Sequence, residues 1–138
     1  MPLMPSHYRL TFKAHPVYSP SLASHPGLRF RETVEPLGRL LGDFDVAVAA
    51  NSTSAALDAC VCGLSVVIAL DGSTLNMSPL RGSLGTQFVT HPQELVAALA
   101  RVEGSGAACP RRGEFLFLDS GLPRWRRMLD MPPTDLKH

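Results

Sequence analysis

The chain has 138 residues, a formal net charge of +1 and a hydrophobic share of 45%, which together suit one domain with a true core and exclude wholesale disorder. The near-neutral balance leaves no electrostatic footprint for nucleic acid. No apolar run is long enough to span a bilayer, and the N-terminus MPLMPSHYRL lacks the apolar core of a signal peptide, so a cytoplasmic protein is expected.

Residues 1–7 read as an extended or disordered N-terminus, 8–130 as one domain and 131–138 as a disordered tail. YRLTFKAH (8–15) alternates apolar and polar residues and reads as a strand that stops at His15-Pro16. Residues 16–27 carry three prolines and several serines and read as loop. LRFRE (28–32) alternates again, as a short strand. EPLGRLLGDF (35–44) places Leu37, Leu40 and Leu41 at helical spacing behind Pro36, and DVAVA (45–49) is a short apolar run of the kind found in parallel strands covered on both faces.

Residues 53–62 form a compact small-residue helix stopped by Gly63. LSVVIAL (64–70) is the strongest strand signal, β-branched and bounded by Gly63 and Asp71-Gly72. A Gly-, Ser- and Asn-rich loop follows to residue 85, then a strand at 86–90 and a helix at 92–102 opened by Pro92. FLFLD (115–119) is apolar, and LPRWRRMLD (122–130) reads as a short helix with Trp125, Met128 and Leu129 on its apolar side. Strands alternating with helices predict an α/β fold, a Rossmann-like three-layer sandwich with a mainly parallel sheet. The two most apolar runs, 45–49 and 64–70, are expected to be adjacent, central and buried.

Ligands on such sheets sit outside the carboxyl ends of the strands, where both motifs of interest fall. ANSTS (50–54) stands between a strand and a helix. Two readings are open: an ordinary helix cap, or an anion site built from free backbone N–H groups and the hydroxyls of Ser52, Thr53 and Ser54. KAHP (13–16) ends another strand, and the imidazole of His15 there can donate to a phosphate, although a loop histidine without a role is the commoner case. In the loop DGSTLNMSPLRG (71–82), Asp71, Asn76, Ser78 and Arg81 are placed to line the same cleft, where Asp71 suits sugar hydroxyls and Arg81 suits a phosphate, against the alternative of a plain surface loop. Cys60, Cys62 and Cys109 have no zinc spacing and read as small buried thiols in a reducing compartment. No dinucleotide fingerprint, P-loop, nucleophile elbow or metal cluster is present in the sequence.

The succession strand–KxHP, strand–NSTSxALxA, strand and polar loop resembles the C-terminal nucleotide-binding half of B-type glycosyltransferases. It is most similar to bacterial capsule and surface-carbohydrate enzymes, including sialyltransferase-like and Kdo-transferase-like proteins. The ending FLFLDSGLPRWRRML also resembles the closing segment of such proteins. The resemblance implies a nucleotide-sugar donor, a CMP-sugar ahead of a UDP-sugar, with no further cofactor and no metal. It implies that His15 and Pro16 match one donor-binding motif and that Ser52, Thr53 and Ser54 match the other; the residue readings add Asn51, Asp71 and Arg81 as expected donor-site residues. His15 is the candidate for assisting departure of the nucleotide. The chain is too short for both halves of such an enzyme, so a partner N-terminal half or a homo-oligomer is expected. A non-catalytic binding or assembly module and a sugar-nucleotide epimerase-like domain are the alternatives.

Overall fold

The computed structural model describes residues 4–15, 17, 29–83, 85–105 and 121–130. Among them lie two small parallel sheets. β1 (Leu10–Lys13) pairs with β2 (Phe30–Thr33), with Leu10 opposite Phe30 and the rings of Phe12 and Phe30 in contact across the pair. A leucine-rich turn of helix, α1 (Leu37–Leu40), continues into a 3₁₀ turn over Leu41–Asp43. The main sheet has the order β3 (Val46–Ala50), β4 (Ser65–Ala69), β5 (Thr86–Val89), all parallel, with Val46 opposite Ser65 and Val66 opposite Thr86.

Its two faces are covered by different helices. Val66 and Ile68 point to one side, where they pack with Ala56, Ala59 and Cys60 of α2 (Ala55–Val61), with Leu41, Leu64 and Leu80. Val67 points to the other, against Val89 and against Ala98 and Leu99 of α3 (Pro92–Ser105). Val66, Val67 and Ile68 are fully buried, which is why the β-branched run at 64–70 reads as continuously apolar; each such burial is worth about 1.5–3 kcal/mol. The α/β assignment and the three layers of this sheet are thus as expected. The expectation that both apolar runs are central holds for β4 only. Among the described residues β3 is an edge strand paired with β4 alone, and Val48 is half exposed; alternating valine and alanine suit an edge strand as well as a central one.

Helix ends follow local chemistry. α2 closes on Gly63 at φ +87, where the N–H of Gly63 donates to the carbonyl of Cys60 and that of Leu64 to the carbonyl of Ala59. These are the two bonds of a Schellman motif, and they need a left-handed residue at that position. α3 opens on a carboxylate cap: Glu94 Oε2 accepts from the Thr90 N–H (2.7 Å), the Thr90 hydroxyl (3.1 Å) and the His91 N–H (3.3 Å). The chain ahead of β1 packs on the α3 side of the sheet through Met4 and Tyr8, while His7 Nε2 lies 3.0 Å from Glu103 Oε1. The last described helix, α4 (Pro123–Leu129), buries no residue. Among the described residues no helix is long and apolar enough to cross a membrane. The apolar run at 115–119 and the tail at 131–138 lie outside the described residues, as does Cys109. The expectation of small buried thiols is met in part: Cys60 is buried in the core but disulfide-bonded, and Cys62 is a free thiol that is exposed.

Candidate functional site

The carboxyl ends of β3 and β4, paired to their last residues Ala50 and Ala69, meet the loop that follows β4. Between them opens a cleft of about 360 Å³, lined by Ala50, Asn51, Ser52, Ala69, Asp71, Thr74, Leu75 and Met77. Small residues at both strand ends make the space: Ala50 and Ala69 are register partners and neither side chain reaches into it far.

The loop forming the far wall is held from three sides. Asp71 Oδ1 accepts from the Ser73 N–H, the Thr74 N–H and the Thr74 hydroxyl, each at 2.9 Å. This is the turn that an aspartate two and three residues ahead of free N–H groups makes. These donors, the Thr74 N–H foremost, lower the Asp71 pKa, so the group is a carboxylate at neutral pH. Next, Asn51 reaches across from the end of β3. Its Nδ2 donates to the Leu75 carbonyl (2.7 Å) and to Thr74 Oγ1 (3.3 Å), and its Oδ1 accepts from the Met77 N–H (3.0 Å). Finally the loop dives into the core. The Ser78 N–H donates to Asn76 Oδ1 (3.0 Å), the Leu80 N–H donates to Ser78 Oγ (3.1 Å), and Ser78 and Leu80 are fully buried. Leu75 and Met77 are left strongly exposed, at 81% and 65%.

The four residues of the small-polar motif therefore do different things. Asn51 braces the loop. Thr53 Oγ1 accepts from the Ala55 N–H at 3.2 Å, a local turn that starts α2. Ser54 is the N-cap but makes no side-chain cap bond, and its backbone is already helical (φ −68, ψ −17) rather than in the extended conformation from which a cap side chain reaches the first turn. Ser52 is exposed, lines the cleft, and its hydroxyl makes no hydrogen bond among the described residues.

Of the residues expected at one site, the structure brings together Asn51, Ser52 and Asp71. Thr53, Ser54, Arg81 and His15 are not among the lining residues. His15 does stand at the carboxyl end of its strand, but that strand belongs to the two-stranded sheet. Its Nδ1 accepts from the Val17 N–H at 3.2 Å, which leaves Nε2 to carry the proton of the neutral ring as a donor. Pro16 lies outside the described residues. Thr74, Leu75 and Met77 were not singled out by sequence. The aspartate with hydroxyl residues two and three positions later, DGST, is the signal that points to Thr74; the apolar Leu75 and Met77 inside a polar loop are the signal for an apolar wall.

Chemically the cleft offers one carboxylate, two hydroxyls and an apolar lip, with no cationic side chain among its lining residues. A carboxylate has room for about four hydrogen bonds, and the loop fills three at Asp71. That leaves capacity for a ligand hydroxyl. Among the described residues no group of three or more His, Cys, Asp or Glu side chains is placed to hold a metal ion. No family model matches the chain, and neither a curated protein nor a solved structure does.

Proposed function

We propose that this chain is a nucleotide-sugar-binding domain of a glycosyltransferase acting in surface-polysaccharide synthesis, in a bacterial capsule or similar glycan, with a CMP-sugar as donor ahead of a UDP-sugar. The observation that carries the reading is the cleft of Ser52, Asp71 and Thr74 at the carboxyl ends of two adjacent parallel strands, the position at which α/β sheets take ligands. Asp71 and Ser52 would take ribose or sugar hydroxyls, each bond contributing roughly 0.5–1.5 kcal/mol, with Leu75 and Met77 against an apolar face of the ligand. His15, with Nε2 as donor, is the group the resemblance assigns to the departing phosphate. Two carry-overs change: Asn51 acts as a brace for the loop, and the phosphate must find its cations outside the lining residues. The acceptor and its base belong to a partner half.

A non-catalytic binding or assembly module of the same fold is the second reading, favoured by the absence of a cationic side chain from the cleft lining. Calorimetry with CMP, UDP and a CMP-sugar at millimolar concentration separates the two. Weak binding that Ser52→Ala reduces severalfold, at unchanged melting temperature, is the expected result. A folded protein that gives no heat with any of the three ligands would leave the module reading in place.

A further inference from the structure

α4 has no place in the donor cleft, and it is the one described helix without a buried residue. It nevertheless carries the chain's single tryptophan. Trp125, Met128 and Leu129 are 58%, 57% and 76% exposed, and Leu122, just ahead of the helix, is 57% exposed. At about 100° per residue, Trp125, Met128 and Leu129 share one arc of about 100°. Arg124 borders that arc beside Met128, Arg126 borders it beyond Leu129, and Arg127 lies further round. One carboxylate, Asp130, follows three arginines, so the helix is locally cationic although the chain as a whole is close to neutral.

We propose that α4 is a peripheral anchor for an anionic bilayer surface: the Trp125–Met128–Leu129 stripe enters the headgroup layer, and Arg126 at its edge, with Arg127 further round, draws it to lipid phosphates. The size of the surface favours lipid over a protein groove. A seven-residue helix is roughly 10 Å long. A stable protein interface buries about 800 Å² on each partner, far more than one such stripe provides. A lipid interface has no minimum area. Indole rings settle at headgroup depth, and a guanidinium at the edge of an apolar stripe reaches phosphate without leaving it. Each arginine near an anionic leaflet strengthens attachment roughly fivefold, so attachment by α4 is reversible and salt-sensitive. The anchoring is independent of the nucleotide-sugar reading, and its test contains no nucleotide.

The test titrates the full chain with vesicles of phosphatidylcholine alone or with about a third phosphatidylglycerol, following Trp125 emission and co-sedimentation. The expected result is a blue shift and sedimentation with the anionic vesicles, at least about tenfold stronger partition than into neutral ones, and reversal by salt of about 0.5 M. The double variant Arg126→Glu, Arg127→Glu changes only exposed side chains; with an unchanged circular dichroism spectrum it should lose the preference for anionic lipid. Three results would overturn the proposal: neither readout responding to anionic vesicles with folded protein; equal partition into both lipids; or an emission shift without vesicles that grows with protein concentration, which would make the stripe a contact between copies. An equal shift with an acidic polypeptide in place of vesicles would overturn it as well, in favour of a protein partner.

Discussion

Replacing Asn51 by alanine tests whether the wall of the cleft is held from β3. The side chain makes one short bond to the Leu75 carbonyl (2.7 Å), one good bond from the Met77 N–H (3.0 Å) and one longer bond to Thr74 Oγ1 (3.3 Å). At roughly 0.5–1.5 kcal/mol for each well-formed bond, and less for the longest, the sum is about 1–3 kcal/mol. The lower half of that range is expected, because Leu75 and Met77 are exposed and water can take over their backbone groups. For a domain of this size, about 1–2 kcal/mol lowers Tm by roughly 3–10 °C. Thermal unfolding followed by circular dichroism gives that number, and hydrogen exchange locates it: the Met77 amide should lose protection while amides of β4 keep theirs until global unfolding. Asn51→Asp keeps the acceptor for Met77 but turns a carboxylate towards the Leu75 carbonyl, so it should be no better than alanine. If Asn51→Ala leaves both Tm and Met77 exchange unchanged, the brace is not holding the loop, and Asn51 returns to the pool of ligand-binding candidates.

Two further substitutions probe how the scaffold is capped. Gly63→Ala meets no atom within 4 Å, so its cost is conformational alone; at φ +87 it should destabilise by about 1–2 kcal/mol in urea titration, and a neutral result would mean that α2 does not need its left-handed stop. Glu94 has its pKa lowered by hydrogen bonds from Thr90, first the N–H and then the hydroxyl, so its stabilisation is complete above the unfolded-state carboxylate value and is lost as pH falls through the lowered folded-state value. Glu94→Gln should accordingly reduce stability at pH 7 and leave a flatter acid limb than the parent; identical acid limbs would refute the cap.

The parallel core was legible because its signals are local. β4 is a β-branched run with punctuation at both ends, and α3 opens on a proline with a glutamate two residues later, so strand and helix can each be read from a window of ten residues or so. The edge position of β3 was not legible. Valine and alanine alternate along it, which fits a buried strand as well as a half-covered one, and only the strand order distinguishes them. The extent of α2 was over-read at its start for a related reason. Thr53 and Ser54 are good residues for a first turn or for the turn before it, and here Thr53 closes a side-chain turn onto Ala55, which postpones the helix to Ala55.

The site was half legible, and the illegible half is the more instructive. A run of four small polar residues at a strand end suggests four equivalent donors. The structure gives them unequal duties because Asn51 is matched to a loop 23–26 residues further on, a separation that no local pattern encodes. Once Asn51 is committed there and Thr53 to its own turn, Ser52 is the hydroxyl of the motif that still faces the cleft without a hydrogen-bond partner among the described residues. The same commitment makes the loop a better wall. Asp71 is fixed by its own turn, Leu75 and Met77 by Asn51, and the loop's far end by buried Ser78 and Leu80, so a ligand entering the cleft need not order the loop first. Specificity then depends on the few groups left over, Ser52 and the remaining capacity of Asp71. Both suit hydroxyl-rich ligands better than a bare phosphate, which is why a sugar nucleotide should bind this cleft through its ribose or sugar more than through its charge.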